Sequence, residues 1–201
     1  MKKILPVFSY IFHPLFISVF AALLYFFFSN RYFIYQDIYL ILIQILIVTI
    51  LIPVSIYYFL LSLGKVNSIM LNDKSQRRIP LAIHALLLLI LIKKSITIDS
   101  IPELYYYFLG SLISTVVALF LIILGYKASL HMVGMSALTI FAIGISIHSQ
   151  VRLVEVISLL TLCTGIVATS RLEMKAHDYT ELTLGFLTGI LPQIGLWYFW
   201  L

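Results

Sequence analysis

Long apolar blocks, cut only by short polar clusters, constrain this chain more than any other feature. No Asp, Glu, Lys or Arg occurs from Ile38 to Gly64, from Leu104 to Tyr126, or from Ala128 to Val151. Stretches of that length suit bilayer-spanning helices, which satisfy every backbone N–H and C=O within the segment. The rest of the composition agrees. Of 201 residues, 62% are hydrophobic and 10% charged, and mean hydropathy is +1.10. A soluble domain is nearer half apolar and a quarter charged. The expected fold is therefore an all-α polytopic transmembrane helix bundle, one integral membrane domain over residues 1–201.

Seven spans are expected, at about 7–29, 38–63, 79–95, 104–125, 131–148, 152–169 and 180–201. The first has a basic start, Lys2-Lys3, like a signal peptide. Its bulky aromatic run and the lack of a small-residue cleavage site make it a retained helix. The third is clean only from Ile79 to Ile92, so Lys93 and Lys94 must snorkel. The lone Cys163 lies in an apolar block and offers neither a disulfide nor a cysteine metal site. The net charge of +5 points to anionic lipid or phosphate rather than nucleic acid, since the basic residues show no regular interleaving with aromatics.

Seven spans put the N-terminus and the 64–78, 126–130 and 170–179 segments on one membrane side. That side carries Lys2, Lys3, Lys65, Lys74, Arg77, Arg78, Lys127, Arg171 and Lys175, against Arg31, Lys93, Lys94 and Arg152 opposite. The positive-inside rule makes the richer side cytoplasmic. Without Lys74, Arg77, Arg78, Lys127 and Arg171, which are candidates for a site, the two sides carry equal numbers.

Those candidates sit in three segments: Asp73–Pro80, Lys127–His131 and Ser170–Glu181. The last says most. His177 and Glu181 are four residues apart and share a helix face. A carboxylate there can accept from one imidazole nitrogen, fix the tautomer and leave the other nitrogen free to attack. Arg171 offers a planar fork for phosphate oxygens.

Ser170-Arg171, five residues, His177, three residues and Glu181 resemble the third signature of the type 2 phosphatidic acid phosphatase superfamily, which includes vanadium haloperoxidases. That signature ends in Asp where this chain has Glu181. The second signature, Pro-Ser-Gly-His, is matched by Ala128-Ser129-Leu130-His131, and the first is echoed by Lys74, Arg77, Arg78 and Pro80 at altered spacing. Gly185 and Gly189 also look like the family. The resemblance covers roughly residues 65–190 and makes about 65–201 the catalytic-type core. It implies metal-independent hydrolysis of a lipid phosphate: phosphatidate, phosphatidylglycerol phosphate, an isoprenyl phosphate or a lipid A-type substrate. His177 would be the nucleophile, Glu181 its orienting group and His131 the acid and base. Ser129, Ser170, Arg171, Lys74 and Arg77 or Arg78 would hold the phosphate. No metal or other cofactor is implied, and the partners are the substrate and membrane lipids.

Structural roles compete for the same residues. Asp178 could be an N-cap with Glu181 reaching back as in a capping box, and Ser129 could cap span five. Arg77 and Arg78 could anchor to headgroups, and Lys127 and Lys175 read as snorkelling anchors. His13, His84 and His148 read as packing or hydrogen-bonding residues. Gly134, Ser136, Gly144 and Gly165 read as close helix contacts. A degenerate site that binds lipid phosphate without turnover is the alternative function. A reporter fused at Leu201 tests the topology: seven spans place it on the membrane side opposite the N-terminus, and an even number returns it to the same side.

Overall fold

The computed structural model describes residues 5–64 and 74–201, with Lys74–Gln76 by their backbone alone. Among these residues all regular structure is helical. The helices are α1 (Leu5–Ile11), α2 (Pro14–Phe28), α3 (Tyr35–Leu46), α4 (Ile52–Ser62), α5 (Lys74–Lys94), α6 (Pro102–Ile123), α7 (Leu130–His148), α8 (Val154–Glu173) and α9 (Tyr179–Trp197).

Four of the described helical segments are long and apolar enough to cross a membrane: Tyr35–Ser62, α6, α7 and α8. The bent pair α1–α2 makes a fifth if it counts as one span. Its 64° bend falls at His13-Pro14, where proline opens α2 and the residue before it is extended, at φ −64° and ψ 140°. In Tyr35–Ser62, Pro53 lacks an N–H and crowds the preceding turn. The five π-helical residues Ile47–Leu51 just upstream absorb that misfit.

The closest helix crossing is α7 against α9. A Cβ on Gly185 would strike the backbone of Ser129, and one on Gly189 would strike Val133 O and the Ser136 hydroxyl. The two glycines lie four apart, on one face, and let the backbones touch. Ser136 then donates to Phe186 O at 3.1 Å. On the other side of α9, Ser114 Oγ donates to Thr188 O at 2.8 Å and Gln193 Nε2 to Tyr107 O at 3.0 Å. Gly110 makes room for that amide. Among the glycines read as contacts, Gly134 meets Ile17 and Gly144 meets Trp197 and Trp200, whereas Gly165 faces open space.

The bundle end opposite the candidate site is tied by a buried carboxylate that the sequence reading did not single out. Glu103 accepts from Tyr25 Oη at 2.9 Å and pairs with Arg31 at 3.3 Å and His148 at 3.2 Å. This joins α6 to the ends of α2 and α7, with the His148 ring nitrogen in hydrogen-bonding distance of the carboxylate.

Glycine substitutions separate contact from propensity. Gly189→Ala is expected to lower the thermal midpoint in detergent, because overpacking against backbone costs about 1–3 kcal/mol. Gly165→Ala should hold or raise it, with helix propensity favouring alanine by up to ~1 kcal/mol. Equal effects at both positions would refute the close α7–α9 crossing.

Candidate active site

The connection between α8 and α9 is fixed by two helix-end motifs. At the end of α8, Ala176 N bonds to Arg171 O at 3.1 Å and Lys175 N to Leu172 O at 2.9 Å. That is a Schellman ending. Its left-handed position holds Lys175 at φ 50°, where glycine is usual, so some backbone strain is held here. At the start of α9, Asp178 is the N-cap, and its side chain accepts from Glu181 N at 2.8 Å. His177 stands between these two motifs and has little freedom.

The Glu181 carboxylate does not close a capping box. It accepts from His177 Nδ1 at 2.6 Å and lies 3.6 Å from Lys127 Nζ. With the proton on Nδ1, the lone pair of a neutral imidazole is on Nε2. The His177 side chain is only 2% exposed. Burial above all, then the positive charges of Lys127, Arg77 and Arg171 and the nearby His131, hold its pKa below the ordinary histidine value.

Lys127 is not a snorkelling anchor. Its ammonium turns inward, donates to Ala176 O at 2.9 Å and meets Glu181. Burial, then Arg77, lowers its pKa. The anchor reading fails because the short α6–α7 link ends beside the α8–α9 connection. Lys175 and Glu173 are exposed.

Arg171 is 6% exposed. Its Nε has no hydrogen-bond partner, and its Nη1 finds only Met174 Sδ at 3.8 Å. A buried guanidinium without an acceptor is costly. Ser129 is fully buried, and its hydroxyl is also unpartnered. It precedes α7 but makes no side-chain cap bond. Its backbone N–H is taken, donating to Glu181 O at 3.0 Å, so phosphate could meet the hydroxyl but not that N–H. Arg77 is buried, within electrostatic reach of Glu181 and Arg171, whereas Arg78 points outward. The Lys74 side chain lies outside the described residues.

His131 and Ser170 are both engaged by α1. His131 Nε2 donates to Ser9 O at 3.0 Å, and Ser170 Oγ is 2.7 Å from Ser9 Oγ. His13 packs edge-on against His131, with ring centroids 5.4 Å apart. Sequence spacing held no signal for Ser9 or His13, because both arrive through tertiary packing. Among the described residues, no three His, Cys, Asp or Glu side chains converge as metal ligands.

The neutral state of His177 gives a pH test. Unfolded, the imidazole takes a proton near pH 6.5, while folded it stays neutral to lower pH. Stability therefore falls as pH drops below about 6.5, by up to ~1.4 kcal/mol per unit from this residue. Thermal midpoints between pH 7 and 5 should fall more steeply in the native protein than in His177→Gln. Parallel slopes would show that His177 already carries its proton when folded.

No protein-family model, curated protein or solved structure matches this chain.

Proposed function

We propose that this protein is a membrane phosphatase that hydrolyses lipid phosphate monoesters through a phosphohistidine. The observation that carries the reading is the His177–Glu181 pair at 2.6 Å beside a buried Arg171 whose Nε lacks an acceptor. In the first step His177 Nε2 attacks phosphorus. The N–P bond forms, the ester P–O bond breaks, and His131, which takes up a proton as the phosphate dianion binds beside it, passes its Nε2 proton to the leaving alcohol. Water then cleaves the N–P bond, giving its proton to His131 and releasing inorganic phosphate. Glu181 keeps the His177 tautomer and offsets the charge of the phosphorylated ring. Arg171, Arg77, Lys127 and the Ser129 hydroxyl stabilise the phosphoryl oxygens.

Counting α5 and α9 with the other spans gives the seven-span topology and brings all three polar segments to one face of the cytoplasmic membrane. Phosphatidate, phosphatidylglycerol phosphate, isoprenyl phosphates and lipid A-type phosphates share the chemistry this site fits. A second reading, a lipid-phosphate binder without turnover, is favoured by Leu130 and by the engaged N–H of Ser129, which leave one phosphate donor fewer.

The test is release of inorganic phosphate by purified protein from dispersed lipid phosphates, with EDTA present. The expected result is release that persists in EDTA and is lost in His177→Ala. Binding of a lipid phosphate without release, by both proteins alike, would favour the binder.

A further inference from the structure

The site described above is shut in this conformation. His131 is 9% exposed, His177 7%, Arg171 6% and Ser129 0%. What shuts it at His131 and Ser170 is one residue of α1. Ser9 is 3% exposed. Its carbonyl accepts the His131 Nε2 proton, and its hydroxyl meets Ser170.

Resting on the phosphatase reading, we infer that α1 is a gate whose Ser9 holds the place of the substrate's leaving oxygen, and that a lipid phosphate displaces it. Three observations carry this. First, the proton that the leaving alcohol needs is the one donated to Ser9 O. A resting site with that proton engaged and an unpartnered Nε on buried Arg171 has its acid blocked and an anion donor unfilled behind the same closure. Second, α1 is built to move as a unit. It is short and joins α2 through the 64° bend at His13-Pro14, and the proline removes the N–H that would make the helix continuous. Third, α1 turns Val7, Tyr10 and Ile11 outward, each about half exposed, so its outer face is apolar. When it swings out, the site opens sideways towards lipid, and the apolar tails of a membrane-borne substrate can replace its contacts. The ligand class is thus a phosphate monoester on a bilayer-embedded lipid.

The gate can be locked. Ser9→Cys with Ser170→Cys, in a Cys163→Ala chain, puts two sulfurs where the native oxygens are 2.7 Å apart, and a disulfide of about 2.05 Å needs only a small adjustment. Oxidation, with the bond verified by mass spectrometry, is expected to cut lipid-phosphate hydrolysis about tenfold or more, because only the open fraction binds. Dithiothreitol should restore it. A cross-linked protein as active as its reduced form overturns the gate.

If the native protein releases no phosphate from any lipid, the phosphatase reading fails, and the gate is read from orthovanadate binding instead. Thermal stabilisation of the reduced but not the oxidised form keeps the gate, and equal stabilisation of both overturns it. Should the reduced double variant not fold, Ser9→Ala serves. Loosening the tie is expected to lower the apparent KM for lipid phosphate, and Ser9→Thr to return it to the native value. An unchanged or raised KM in Ser9→Ala means that Ser9 is only a packing residue.

Discussion

The structure turns on the contact between the starts of α7 and α9. Ser129 N–H donates to Glu181 O at 3.0 Å, and Gly185 leaves no side chain to hold the two backbones apart. In lipid no hydrophobic force draws helices together, so close van der Waals packing and hydrogen bonds must do it. This single crossing sets the distance between the two polar segments that carry His131 and His177. The crossing uses up the Ser129 N–H, so only the hydroxyl of that residue is left without a partner.

Two charge clusters, one at each end of the bundle, show how differently a membrane protein can use ionised groups. Around Glu103 one carboxylate takes Tyr25, Arg31 and His148. An open cleft of about 480 Å³ lies over it, but most of the carboxylate's acceptor sites are already used. Such a network clamps helix ends. Around Glu181 some polar atoms are left over. Lys127 meets the carboxylate at 3.6 Å, Arg77 and Arg171 lie within electrostatic reach of His177, and Arg171 and Ser129 keep unpartnered atoms among the described residues. Concentrated positive charge in a poorly solvated place raises the energy of the empty site and favours a dianion.

Much of the helical framework was legible because period and length survive in one dimension. The blocks read at 104–125 and 131–148 are α6, Pro102–Ile123, and α7, Leu130–His148. The first block, read as one span at 7–29, is split by Pro14 into α1 and α2. The His177–Glu181 pair was legible for the same reason: four residues on a helix is a local distance. Which of Arg77 and Arg78 faces inward was not, since adjacent helical residues differ by about 100° and only neighbouring helices decide. Lys127 looked like an anchor because a lysine at a span end usually is one. Its inward turn depends on Ala176 O, supplied by a loop far along the chain.

Glu181 shows how a glutamate at a helix start can be released from capping. At the third position of a helix a glutamate normally reaches back to the cap. Here Asp178 supplies the cap from its own side chain, so Glu181 owes nothing to the helix start. Its arm, one methylene longer than aspartate's, is steadied from outside by Lys127. The ammonium lowers the freedom of the longer side chain and balances part of its charge, which tempers how strongly Glu181 favours the imidazolium form of His177. A carboxylate held in this way accepts the Nδ1 proton of His177 in a hydrogen bond and leaves the Nε2 lone pair unshared.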